Sequence, residues 1–215
     1  MTGQKDVVRA LVGSHGRTFA EEAGITLRDT PQPLYRLLVL ALLLSARIRG
    51  SVALATARAL YEAGLRDPRR MAGASWQQRV DALGRGGYRR YDERTATQLG
   101  DGAELLTERW GGDLRRVRKE ADGDTGRLRD LLEEVPGLGP AGADIFLREV
   151  QLVWPEVAPY LDRKALDGAA RLGLPKEPDR IVRLAGDTEP AVVAAALVRA
   201  ALDKNVVEDS RRGAA

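Results

Sequence analysis

At 215 residues, 44% of them hydrophobic, the chain can bury one sizeable core or two smaller ones. It has no cysteine and one histidine, which removes disulfides, thiol catalysis, iron-sulfur clusters and ordinary zinc sites; chemistry is left to carboxylates, hydroxyls, lysine and backbone. Net charge is only +3, yet the basic side is overwhelmingly arginine, the lysines being Lys5, Lys119, Lys164, Lys176 and Lys204.

The first residues, MTGQKDVVRALVGSHG, carry charge where a secretory apolar segment would lie. The longest apolar run, Leu37 to Leu44, has eight residues against the roughly 18 needed to span a bilayer, so a soluble intracellular protein is expected. Val7, Val8, Leu11 and Val12 recur at helical spacing, and PLYRLLVLALLLSA is apolar on all sides, as expected of a central helix. SVALATARALYEAGL follows, with Ser51 as the expected cap and Gly64 as the stop. Ser75 is expected to cap WQQRVDALG, which Gly84, Gly86 and Gly87 end, and Arg94 to Trp110 forms a longer amphipathic helix before Gly111 and Gly112. Thr125 to Glu134 carries Leu128, Leu131 and Leu132 on one side, and Ala141 to Val153 forms the next helix. After Trp154 and Pro155 an irregular stretch leads to LDRKALDGAARLGL, a helix capped by Asp162; Pro190 to Leu202 is helical, and the polar tail EDSRRGAA is expected to be disordered. Strand signals are nearly absent and no internal repeat is visible, so the expected class is all-α with roughly ten helices. Three basic clusters, Arg66 to Arg70, Arg85 to Arg94 and Arg115 to Lys119, are patches that could follow phosphates, although such runs are more often solvated faces.

One stretch breaks the helical pattern. EVPGLGPAGADIFL, residues 134 to 147, places two glycines and two prolines in six positions directly before an apolar run. Gly137 and Gly139 are free to take positive φ, and Pro140 suits the first turn of a helix. Such a turn can point successive N–H groups outward beside a helix N-terminus, forming an anion site that needs no side chain. A lone Gly-x-Gly between helices is more often only a turn.

VPGLGPAGADIFL resembles the helix-hairpin-helix motif of DNA glycosylases related to endonuclease III, in which a Leu-Pro-Gly-x-Gly hairpin precedes an apolar helix and an aspartate follows. YLDRKAL supplies that aspartate, Asp162; upstream, LLLSARIRGSVALATARAL and DALGRGGYRRYDERT resemble the family's early helix-loop-helix and its Gly-x-Tyr loop, in the right order. The resemblance spans about Leu34 to Leu172. It implies a two-lobed helical fold with a barrel domain over 33–153, a second lobe built from 1–32 and 154–215, and a cleft between them. It also implies removal of a damaged or mismatched base from duplex DNA by a monomeric, cytoplasmic, nucleoid-associated enzyme without membrane contact. Such enzymes extrude the target nucleotide and fill the gap with a wedge. Arg47 stands where the family's gap-filling glutamine stands, although it also ends an apolar helix where a cation is favoured; Tyr88 and Arg89 are secondary wedge candidates. Gly137, Gly139 and Ala141 would grip the backbone.

Cleaving the N-glycosidic bond develops positive charge on the sugar, which a carboxylate stabilises, and Asp162 is assigned that role beside its role as helix cap. Bifunctional relatives carry a lysine just after the hairpin, whose amine attacks the sugar. Ala141 stands there, so the implied enzyme is monofunctional with water as nucleophile; Lys164, two residues beyond Asp162, is the remaining nearby amine and a candidate DNA contact. Asp144 and Asp167 do not match the motif's aspartate, and the spacing from Ala141 to Asp162 is longer than the family usually shows. No cofactor is implied, the iron-sulfur cluster of several relatives being impossible without cysteines; a monovalent cation at the hairpin is the one ion considered. Two other readings stay open: a non-catalytic helix-hairpin-helix protein that binds damaged or bent DNA, and an all-α protein-interaction domain.

Overall fold

The computed structural model describes residues 3–214, and every regular element among them is helical, fourteen α-helices and one short 3-10 helix. The chain divides into two compact units, one comprising 20–147 and the other 1–19 with 148–215. These borders differ from those expected at 32/33 and 153/154, and local ties explain why. Gly24 accepts from Arg36 and Asp29 pairs with Arg118, drawing residues 20–30 into the first unit. Arg148, Glu149 and Gln151 bond to Asp162, Phe19 and Tyr160, drawing 148–153 into the second.

The chain begins with Gln4–His15 (α1) and a single turn at Phe19–Glu22 (α2). Pro31–Ser45 (α3) is apolar all round, and from Leu34 to Leu43 every residue except Arg36 is buried. It packs on Gly50–Glu62 (α4). The expected cap Ser51 instead lies inside α4: Arg49 is the extended residue before the helix and no side chain caps it. Pro68–Gly73 (α5) is capped by Asp67, and Trp76–Arg85 (α6) by a reciprocal box in which Ser75 accepts from the Gln78 amide while Gln78 accepts from that of Ser75. From α6 the buried Arg79 donates to the carbonyls of Met71, Ala74 and Ala96, at 3.0, 2.7 and 2.8 Å. It thereby joins α5 to Asp92–Trp110 (α7), which starts two residues before the periodicity suggested and packs on both α5 and α6.

The basic run read as a surface patch is also a helix, Leu114–Ala121 (α8), because Leu114, Val117 and Ala121 fall on one buried face between the arginines. Glu120 on α8 accepts from the Trp110 indole at 2.7 Å and from Arg109 at 2.8 Å, which together draw its carboxyl below the usual range. Arg109 also pairs with Glu134, just beyond Thr125–Glu133 (α9). Pro140–Val150 (α10) follows the Gly/Pro hairpin and runs across the border between the units.

In the second unit, after the 3-10 turn Pro155–Val157, Arg163–Leu172 (α11), Pro178–Ala185 (α12) and Pro190–Leu202 (α13) follow. Helix α13 is buried on most sides and packs on α1, α11 and α12. Of the tail 208–215 expected to be disordered, Ala215 lies outside the described residues, and residues 208–213 close the helix Lys204–Gly213 (α14), which is capped by Asp203 and packed on α1 and α13. Its Val206 and Val207 are buried, at about 1.5–3 kcal/mol per side chain. That burial stabilises a helix of ten residues too short to persist alone; composition showed the charges but not the surface that receives the valines.

Candidate nucleic-acid interface and buried carboxylate

The hairpin between α9 and α10 is anchored from below. Val135 and Leu138 are buried, and the Leu138 amide donates to the Val135 carbonyl at 2.9 Å, closing a tight turn. Arg129 on α9 pairs with Asp144 on α10 at 3.0 Å, tying the two helices together. Gly137 has φ +86°, which favours glycine, and an added Cβ would lie 3.0 Å from Leu42 Cδ1, a tight contact that the leucine would have to relieve. The expectation of positive φ does not extend to Gly139, whose φ lies outside that region and whose added Cβ would meet nothing within 4 Å. The fold does not account for a glycine there.

The first hydrogen bond of α10 runs from the Ala143 amide to the Gly139 carbonyl at 3.0 Å. Earlier amides at a helix start lack partners by construction, and Pro140 has none to offer. Among the described residues the amides of Gly137, Gly139 and Ala141 have no acceptor, and Gly139, Pro140 and Ala141 are exposed. Free N–H groups at the positive end of a helix are the donors that anions favour.

Gly137 also lines an open cleft of about 380 Å³ with Ser45, Arg47, Tyr91, Arg94 and Gln98. Arg47 and Arg94 are exposed there, with no ion-pair partner among the described residues. Tyr88 touches the same cleft but is a packing residue: it is 3% exposed and its hydroxyl lies 3.0 Å from Thr95 Oγ1. The aromatic that reaches solvent in this loop is Tyr91, 54% exposed, held at φ +68° before α7 with the Arg90 guanidinium 4.9 Å over its ring. Sequence reasoning passed over Tyr91, although it is the second aromatic of the same basic loop; Arg89 is exposed beside it. A larger open depression of about 880 Å³ shares no residue with this cleft, and its Asp67, paired with Arg70, and its Asp81 offset two of the three arginines Arg69, Arg70 and Arg85.

Asp162 caps α11, with Oδ1 accepting the Ala165 amide at 3.1 Å. Its Oδ2 accepts from Arg148 Nη1 at 2.7 Å, and the two side chains are 8% and 7% exposed. Gln151, one turn beyond Arg148, is buried and clamps the approach to Asp162: its amide nitrogen donates to the Tyr160 carbonyl at 3.0 Å while its oxygen accepts the Tyr160 amide at 2.8 Å. Neither Arg148 nor Gln151 was singled out from sequence. The available signal was two polar groups, three residues apart, following the apolar run Ile145-Phe146-Leu147. Lys164 and Asp167 are exposed, and Asp144 is engaged by Arg129. Among the described residues no group of three or more His, Asp or Glu could hold a metal ion, and no helix is long and apolar enough to cross a membrane.

No family model matches the chain, and no curated protein does. Solved structures do. One, a trapped endonuclease III–DNA covalent intermediate in an estranged-adenine complex, aligns over 91% of this chain and 84% of its own, with a TM-score of 0.49 and 15% identity. Likeness at that level leaves family and chemistry to be argued from the residues themselves.

Proposed function

We propose that the chain is a monofunctional DNA N-glycosylase that removes a damaged or mismatched base from duplex DNA. The observation that carries the DNA part is the set of free amides at Gly137, Gly139 and Ala141, the last two on exposed residues. Phosphate is the anion that duplex DNA presents, and main-chain donors bind it without reading sequence. The exposed Arg47 and Arg94 beside Gly137 add charge to the same face. Arg47 and Tyr91 are the groups there able to stack against bases once a nucleotide leaves the helix.

Asp162 supports the chemical part. As the N-glycosidic bond breaks, its electron pair leaves with the base nitrogen and positive charge develops on the sugar. A fixed carboxylate stabilises that charge, water adds hydroxide to C1′, and its proton leaves to the departing base or to solvent. An ionised carboxylate has about four acceptor positions, of which Ala165 and Arg148 occupy two. Ala141 offers a methyl where an amine would form an imine, so the expected products are a free base and an intact abasic strand.

One observation favours a second reading, a non-catalytic protein that binds bent or damaged DNA: the Arg148 guanidinium offsets much of the Asp162 charge. Purified protein incubated with duplexes carrying alkylated, oxidised, deaminated or abasic lesions, developed with and without alkali, separates the two. Alkali-dependent breaks alone are expected, and Asp162→Asn should lower base release by about 10²–10⁴-fold with DNA affinity largely retained. Breaks without alkali would contradict the role given to Ala141; DNA binding with no base released from any duplex would favour the second reading.

A further inference from the structure

We propose that Arg148 is the positioning residue for Asp162, fixing the direction of the carboxylate through its second oxygen; this rests on the assignment of Asp162 as the catalytic carboxylate. A helix cap needs only one oxygen, and Oδ1 satisfies that need through Ala165. With Oδ1 alone bound, the outer torsion of an aspartate is soft, since rotation about an sp³–sp² bond is broad. The contact of Arg148 with Oδ2 at 2.7 Å removes that freedom.

The surroundings are built around this pair. At 8% exposure the Asp162 side chain has little water to solvate it, and a buried carboxylate needs a charged or hydrogen-bonding partner. Arg148 is equally buried, and Asp162 is its ion-pair partner among the described residues. Gln151 sets the register between them. Besides clamping the Tyr160 main chain, its amide nitrogen donates to the Arg148 carbonyl at 2.9 Å, so one side chain holds both the residue before the carboxylate loop closes and the residue that bears the guanidinium. The pair is an oriented dipole whose negative end is the Asp162 carboxylate face. Turning that face by a fraction of its width would misdirect it, and a displacement of about 1 Å at a reacting centre can cost roughly 10²-fold in rate.

The test combines three readouts on Arg148→Gln and Arg148→Lys in the full chain. Amide exchange by NMR follows Ala165, whose N–H reports the capped carboxylate, with Val193 in the core of α13 as the control. Binding uses a duplex with a tetrahydrofuran abasic-site analogue, and single-turnover base release uses whichever panel duplex the wild type processes. Expected for Arg148→Gln are exchange at Ala165 faster by about tenfold or more with Val193 unchanged, tetrahydrofuran-duplex affinity within about twofold of wild type, and base release lower by about 10²-fold. Arg148→Lys, which keeps the charge but gives up the planar donor, should recover part of that loss. Wild-type exchange at Ala165, or base release within about twofold of wild type, in Arg148→Gln would overturn the proposal. If protection at Val193 also collapses in Arg148→Gln, Arg148→Lys decides by the same two criteria. A wild type that releases no base from any duplex sinks the enzyme reading instead, and the exchange at Ala165 then decides whether Arg148 orients Asp162.

Discussion

Gly137 and Gly139 sit two residues apart in one hairpin and serve different ends. Gly137 is favoured by the fold: its φ of +86° strains any other residue, and the Leu42 methyl, 3.0 Å from a hypothetical Cβ, would have to give way. Gly139 has ordinary backbone and open space around it. Gly137→Ala should therefore destabilise the protein by about 1–2 kcal/mol from the left-handed conformation, with a further contribution from the contact, measured by urea unfolding. Gly139→Ala should stay within about 0.5 kcal/mol of wild type in the same measurement, yet weaken binding to duplex DNA, because its methyl would stand where a phosphate approaches the free amides. Unchanged DNA affinity in a folded Gly139→Ala variant would remove the argument that this position faces a ligand.

At the scale of elements, α11 carries Asp162 at its start and owes its placement to contact with α13. Gly168 is the point of closest approach, where an added Cβ would lie 1.9 Å from the Leu197 carbonyl oxygen, a backbone atom that no rotamer change can move. Gly168→Ala must push the helices apart. Overpacking of this kind costs about 1–3 kcal/mol, and a fixed main-chain obstacle puts the expected loss at the upper end, read as a lowered Tm. Because the shift would carry the cap with it, base release in Gly168→Ala should fall at temperatures where the variant is still folded. A variant with wild-type Tm would show that α11 and α13 can separate freely, contrary to the close packing seen here. In the 20–147 unit, Arg79 plays the comparable part with hydrogen bonds, satisfying carbonyls at the C-terminal end of α5 while reaching α7.

For the whole molecule, a net charge of +3 predicts little by itself, whereas the hairpin amides and the unpaired Arg47 and Arg94 concentrate positive potential on one face. Binding that neutralises two to four phosphates should weaken by roughly ten- to a hundredfold as monovalent salt rises from about 50 to about 200 mM, measured by fluorescence anisotropy on a labelled duplex. Flat salt dependence would point to the protein-interaction reading. The sequence by itself determined the all-α class, most helix positions, the Ser75 and Asp162 caps and the hairpin, because caps, apolar period and Gly/Pro breaks act over a few neighbouring residues. It also determined that Ala141 has no amine and that no cysteine is present to bind a cluster. Only the tertiary structure decided that Tyr88 is packed away and Tyr91 exposed, that the C-terminal residues through Gly213 are helical, and that residues 148–153 pack with the chain ends. The same holds for the engagement of Asp162 by Arg148, since burial and ion pairing depend on which distant segments meet, and a periodic pattern fixes the face a residue occupies without naming what will cover it.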